Sequence, residues 1–225
     1  MTSSASELSP AAPATPASET PPDAGTPARK RPRPGERRVQ ILQALAAMLE
    51  QPGSERITTA ALAARLEVSE AALYRHFASK AQMFEGLIDF IEQSVFGLAQ
   101  QVNEREDDPL QRCRRLVTLL LQFGQKNPGM ARVMVGDALV FENGRLQERM
   151  NLFFDKIEAT LRQHLREAAA GSASPTPTVD AQADASAITA FCAGRLQRYA
   201  RSGFRRQADE HLEHALALLL PTRPA

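Results

Sequence analysis

The chain has 225 residues, 43% of them hydrophobic, with 27 basic against 26 acidic side chains and a net charge of +1. That composition excludes an intrinsically disordered chain and gives length enough for one or two domains with a real core. No apolar run is long enough to span a bilayer, and the N-terminus lacks the apolar segment of a signal peptide, so the expected compartment is the cytoplasm.

Residues Met1 to Ala28 are rich in Ala, Pro, Ser and Thr, with acids at Glu7, Glu19 and Asp23. Such a segment buries too little apolar surface to offset its ordering entropy and reads as a disordered tail. The sign of charge then reverses. Arg29, Lys30, Arg31, Arg33, Arg37 and Arg38 crowd against the single acid Glu36. This run is either a solvated, solubilising segment or a flexible arm that follows phosphates or enters a minor groove. Pro34-Gly35 ends the arm, giving a first segment over 1–35.

A helix is expected from about Glu36 to Glu50, with Val39, Leu42, Leu45, Ala46 and Leu49 as its apolar stripe and Pro52-Gly53 as its stop. The stretch from Arg56 to Lys80 then reads as two short helices joined by a tight turn. Thr58 or Thr59 caps the first, whose small and apolar positions are Ala60, Leu62, Ala63 and Leu66. Glu67-Val68 makes the turn, with Val68 as its apolar plug. Ser69 caps a second helix from Glu70 to Phe77, with Ala72, Leu73 and Phe77 inward and Glu70, Ala71, Tyr74, Arg75 and His76 outside that face. A short helix with small N-terminal residues, flanked by hydroxyls and cations, is the pattern of a helix-turn-helix over 36–80. On periodicity alone an ordinary helical hairpin with a charged outer face fits equally.

Ser79 with Gln82 forms a capping-box pattern that opens a long helix to about Asn103. Its wide buried face is Met83, Phe84, Leu87, Ile88, Ile91, Val95 and Leu98, with Phe90 and Phe96 at the edges. Lys80 lies in the first turn, the unfavourable end for a cation, and an anion nearby would offset that. Asp107-Asp108-Pro109 starts the next helix, carried inward by Leu110, Cys113, Leu116, Val117, Leu120 and Leu121. Leu119, Phe123 and Lys126 continue it on a neighbouring face, and Asn127-Pro128-Gly129 breaks it. A short helix from Met130 to about Val135 precedes a long one from near Phe141 or Asn143 to about Ala169, striped by Leu146, Met150, Phe153, Ile157, Leu161 and Leu165. Gly171 to about Asp180 reads as a flexible loop. Two helices close the chain, about Ala181 to Ser202 and Asp209 to Leu220. With no strand-like alternation, the fold class is all-α, with a larger helical dimerisation and partner-binding domain over 81–225.

No catalytic or nucleotide-binding motif appears, so neither an enzyme nor a cofactor is expected. Cys113 and Cys192 read as buried or idle thiols. His211 and His214 share a helix face, but no spacing completes a metal ligand set. The arginine run Arg195, Arg198, Arg201, Arg205 and Arg206 reads as a solvated or salt-bridged face.

The order I-T-T-x-x-L-A-x-x-x-x-V-S-x-x-x-L-Y-x-H-F-x-S-K, filled from Ile57 to Lys80, resembles the DNA-binding domain of TetR-type repressors. Further stretches narrow that resemblance to the nucleoid occlusion factors of this type. They include L-I-D-F-I-E at Leu87 to Glu92, F-G-Q-K-N-P-G at Phe123 to Gly129, A-L-V-F-E at Ala138 to Glu142 and A-F-C-A-G-R-L at Ala190 to Leu196.

The resemblance implies a homodimer on palindromic double-stranded DNA, joined through its last two helices, with Leu196 and Leu216 among their inward positions. The DNA-contacting residues are expected to be Arg56, Thr58, Thr59, Ser69, Glu70, Ala71, Tyr74, Arg75, His76 and Lys80. Of these, Ser69, Glu70, Ala71 and Arg75 are set near base edges, and Thr58, Thr59, Tyr74, His76 and Lys80 on phosphates. The resemblance further implies that the DNA-bound protein engages the cell-division protein FtsZ, whose C-terminal tail lies in a groove between the fourth and fifth helices. Phe90, Leu119, Lys126 and Asn127 would line it, Lys126 suiting an acidic tail. On the residues alone, Phe90 and Leu119 read as plain core packing. Gln122 departs from the family pattern, which has a smaller Gly there. The competing expectation is a repressor that holds a small ligand in its helical domain.

Overall fold

Nine α-helices and one 3-10 turn make up the described residues, 35–51, 57–170 and 175–221, of this computed structural model. The tail and the arm as far as Arg33, the expected DNA contact Arg56 and the first part of the expected loop, 171–174, lie outside them. Among the described residues no helix is long and apolar enough to cross a membrane.

Helix α1 (Glu36–Leu49) buries Ile41, Leu45 and Leu49. Val39, expected in that stripe, is outside it and 53% exposed. Ile41 and Val39 are two residues apart, so only one of them can face the core, and Ile41 holds the register with Leu45 and Leu49. Helix α2 (Thr59–Arg65) is capped by Thr58, whose hydroxyl oxygen accepts from the Ala61 N–H at 3.1 Å. Glu67 turns the chain in the left-handed region (φ 54°), and Val68 is half-buried against the core. Helix α3 (Glu70–Tyr74) is capped by Ser69, which accepts from the Ala72 N–H. It ends three residues before the expected Phe77. Phe77 is still buried, but from the turn that follows.

Helix α4 (Lys80–Arg105) starts at Ser79, which accepts from the Gln82 N–H at 3.2 Å. The Gln82 side chain accepts in return from the Ala78 N–H at 2.8 Å, a capping box shifted by one residue from the usual N-cap amide. Leu98, expected in the buried face of α4, is 42% exposed, and Ala99 is buried in its place. Asp108 caps α5 (Pro109–Lys126) with Pro109 in its first turn, and α6 (Pro128–Met134) follows directly. The 3-10 turn (Asp137–Leu139) leads to α7 (Gly144–Ala168), whose six expected stripe residues are all buried. Helix α8 (Pro177–Arg201) begins a turn earlier than expected, because Pro177 takes the first helical position, where its missing N–H costs nothing. Helix α9 (Leu212–Leu219) is shorter than expected.

Helices α5, α7 and α8 pack together as the centre, with α4 laid on α5 and α7. Two glycines set the closest approaches. A Cβ on Gly124 would come within 2.4 Å of the Leu196 side chain, where α5 meets α8. A Cβ on Gly129 would come within 2.1 Å of the Ala46 carbonyl oxygen, so α6 lies directly on the backbone of α1. Leu196 and Leu216 are therefore core of a single chain, each fully buried without a second copy, and not the pairing face expected of them. The arginine run is only partly a solvated face. Arg195 donates from Nε to the Ala208 carbonyl at 2.7 Å, and Arg205 to that of Ser202 at 2.9 Å, closing the connection between α8 and α9.

Candidate nucleic-acid interface and groove

Glu70, Ala71, Tyr74 and Arg75 share the exposed side of α3, with Ser69 exposed at its start. Residues 71 and 72 are both alanine, which leaves the backbone of this helix free to come close to a duplex. The carboxylate of Glu70 accepts from the Thr59 hydroxyl at 2.6 Å, which ties α2 to α3 and fixes the acid at the helix start. Thr58 and Ser69 spend a hydroxyl lone pair on a helix cap, which leaves their O–H free to donate. His76 is half-buried. Its carbonyl accepts from Arg38 at 2.6 Å, and the Arg38 guanidinium lies 4.2 Å from the centre of the Phe77 ring. Arg38, read in sequence as part of a basic arm, thus clamps α1 to the turn that ends α3.

Lys80 lies at the N-terminus of α4, as expected, but it already has an anion. Its Nζ bonds the carboxylate of Glu142, from the turn before α7. The Glu142 side chain is 10% exposed, so the pair is shielded on one side. The offset for a cation at a helix start is supplied within the chain.

Three of the four expected partner residues, Leu119, Lys126 and Asn127, line one groove between α4 and α5, of about 500 Å³. Phe90 is not among the groove's lining residues; it is 46% exposed, with its ring centre 6.3 Å from that of the lining residue Phe123. Neither Phe90 nor Leu119 is ordinary core, since Leu119 is only half-buried. Asn127 donates from its amide to the Phe123 carbonyl at 2.8 Å, closing α5. Gln122 lines the groove, so its side chain occupies space that a glycine would leave open. Sequence reasoning missed Leu98, Val102, Arg114 and Arg115, which also line it. One signal pointed to Arg115, the run Gln111, Arg115, Leu119, Gln122, Lys126 at helical spacing on α5, whereas Leu98 read as part of the buried stripe of α4 and Val102 and Arg114 gave no local pattern.

A three-helix helix-turn-helix module packed on a helical core defines the class. The family described as "Bacterial regulatory proteins, tetR family" matches residues 41–87, and "Tetracyclin repressor-like, C-terminal domain" matches 107–222. Among solved structures, the fatty acid degradation regulator FadR from Bacillus halodurans superposes with a TM-score of 0.69 at 16% identity, covering 82% of this chain and 95% of that one. PfmR, a TetR family regulator from Thermus thermophilus, gives 0.63 at 21%, covering 83% and 96%. At these identities they attest the fold. Much nearer in sequence are the nucleoid occlusion factor SlmA of Photobacterium profundum, 49% identical over 184 residues (81% of this chain, 93% of that protein), and that of Aliivibrio fischeri, 48% over 189 residues (84% and 96%). The chain belongs to the SlmA family of nucleoid occlusion factors, within the TetR-type DNA-binding regulators, and is not an enzyme.

Proposed function

We propose that the protein is a nucleoid-associated homodimer of the cytoplasm that binds palindromic chromosomal sites through α3 and, while bound, holds the FtsZ tail in the α4–α5 groove and so blocks ring assembly over the nucleoid. The observation that carries this reading is the groove itself. Its floor is apolar (Leu98, Leu119, Phe123), its rim is basic (Arg114, Arg115, Lys126), and its long wall is the helix whose N-terminus adjoins the helix-turn-helix. Those are the features an acidic tail with apolar side chains needs. Exposed Phe90, its ring against that of Phe123, is assigned as an aromatic anchor next to the groove.

On the DNA side, Ser69, Glu70, Ala71 and Arg75 are assigned to base edges, and Thr58, Thr59, Tyr74, His76 and Lys80 to phosphates. Arg56 completes the expected set. Dimerisation is assigned to the outer faces of α8 and α9. Ala183, Ala187 and Ala190 are exposed at helical spacing, among the described residues nothing outside its own helical turn lies within 4 Å of a Cβ built at Gly194, and Leu218 is 75% exposed. The test is co-sedimentation with FtsZ polymers, with and without a palindromic site. DNA-dependent capture is expected. Absence of FtsZ binding in both conditions returns the protein to the ligand-responsive repressors of the same fold.

A further inference from the structure

The groove does not end where the expected partner residues end. Beyond Leu119 it continues as a second hollow of about 220 Å³, lined by Leu98, Val102, Arg105, Glu106 and Arg115. Two of the chain's own carboxylates lie on the arginines of this continuous channel. Glu213, in the first turn of α9, is 3.6 Å from Arg114, and Glu106, after the end of α4, is 3.0 Å from Arg115. The two carboxylates are held differently. Glu106 is built in: its side chain is 20% exposed, its other oxygen accepts from the Asp108 N–H and its carbonyl accepts from Arg112 at 2.6 Å. Glu213 is 86% exposed, and the distance to Arg114 is long for an ion pair.

We propose that Glu213 acts as a releasable internal competitor for the groove: an acidic peptide segment seats by displacing it from Arg114, while Glu106 stays in place as the end wall. This rests on the reading of the groove as the site for the FtsZ tail and concerns how that site is regulated. The spacing of cations sets what the segment must look like. Arg115 and Lys126 are eleven residues apart on α5, about 16 Å at roughly 1.5 Å per residue. An extended peptide covers that in about five residues at roughly 3.3 Å each. The occupant therefore carries acids about five residues apart, with apolar side chains between them to cover Leu98, Leu119 and Phe123. Arg114, freed from Glu213, becomes available to the acid at the Arg115 end of the segment. Helix α9 also carries the face assigned to dimerisation, so the competitor is presented from an element whose position depends on assembly.

The experiment measures the dissociation constant of a fluorescent FtsZ tail peptide on the full-length protein, with circular dichroism and sedimentation run in parallel. An exposed ion pair of this kind predicts a tightening of about two- to fivefold in Glu213→Gln. The gain vanishes when Arg114→Ala is combined with it, and also when the peptide's acids are replaced by amides. Leu98→Glu weakens the tail in either background, because it places an acid on the apolar floor. Equal affinity of wild type and Glu213→Gln, or a gain that survives Arg114→Ala, overturns the competitor and leaves the groove assignment standing. A wild-type protein that takes no tail, with or without DNA, overturns the groove assignment and the competitor with it.

Discussion

Lys80 has two claims on its charge. As the N-terminal residue of α4 it is proposed to take a DNA phosphate, and in the free protein it is bound to Glu142. If phosphate displaces the carboxylate on binding, Lys80→Ala weakens DNA binding similarly across sequences and flattens the dependence of log affinity on log salt by about 0.9. Glu142→Gln then has the opposite effect, because the competing anion is gone. A salt titration of the three proteins on one palindromic site checks this, and an unchanged slope in Lys80→Ala assigns the lysine wholly to Glu142. His164 is a second residue whose charge state matters. It is buried in α7 with Nδ1 lacking a hydrogen bond, although Glu167 lies 3.8 Å away. Burial lowers its pKa and nearby Arg112 lowers it further, against the pull of Glu167. The unfolded chain therefore binds a proton that the native state refuses. The associated stability is present above the unfolded value of about 6.5 and is lost as pH falls below it toward the lowered native value. Urea midpoints between pH 7.5 and 5.5 should fall more steeply for wild type than for His164→Gln. Cys113 and Cys192 are both pushed up to about 12, chiefly by burial. Neither should react with a thiol reagent at neutral pH until the protein unfolds.

At the scale of the helices, Gly129 joins the DNA-binding module to the core. Its Cα faces the Ala46 carbonyl with no room for a methyl group, and a backbone atom cannot rotate away as a side-chain tip can. Gly129→Ala must push α6 off α1, at a cost of about 1–3 kcal/mol by analogy with overpacked cores. A denaturant titration reads this directly. The F-G-Q-K-N-P-G stretch that carried part of the family resemblance thus has a packing reason in its last residue. Most element positions were legible because caps and periodicity agreed: Asp108 before Pro109, Ser79 three residues before Gln82, and a six-residue stripe on α7. The faces were less legible. Two neighbouring apolar residues satisfy a helical period equally well, and only packing chose Ile41 over Val39 and Ala99 over Leu98. The start of α8 was hidden because proline reads as a breaker, whereas at the first helical position it is a starter. The groove could not be seen whole, since its lining comes from α4, α5 and α9 and only the α5 face shows as a local pattern. Glu213 gave no signal of its own, because an acid in the first turn of a helix already has a local electrostatic reason.

On the proposed reading, the whole molecule brings two α3 helices to one palindrome and links them to a tail held in the groove. Leu196 and Leu216 cannot test the pairing, since a charge at either would disrupt the fold of a single chain. Leu218 and Gly194 can, because both are open in the monomer. Leu218→Glu and Gly194→Arg should leave thermal unfolding of the monomer nearly unchanged, lower the sedimenting mass to that of one chain and weaken binding to the full palindrome much more than to a half-site. A dimer that survives both moves the interface elsewhere. The coupling proposed between DNA and the groove runs along α4. Lys80 at its start and Phe90 are ten residues apart on one continuous helix, about 15 Å at roughly 1.5 Å per residue. We propose that a phosphate fixing the N-terminus restricts the tilt of α4 against α5, and that this tilt sets the width between Phe90 and the Leu119–Lys126 face. Linkage requires the effect to be mutual, so a site that tightens the tail by some factor is itself tightened by the tail by the same factor. Lys126→Glu should weaken the tail on free and DNA-bound protein alike while leaving DNA binding in the absence of FtsZ nearly intact. The four dissociation constants of the cycle, tail on free and DNA-bound protein and DNA on free and tail-bound protein, test this for wild type and variant. Equal tail affinities with and without DNA would make α4 a passive wall and leave recruitment to the chromosome as the only contribution of DNA.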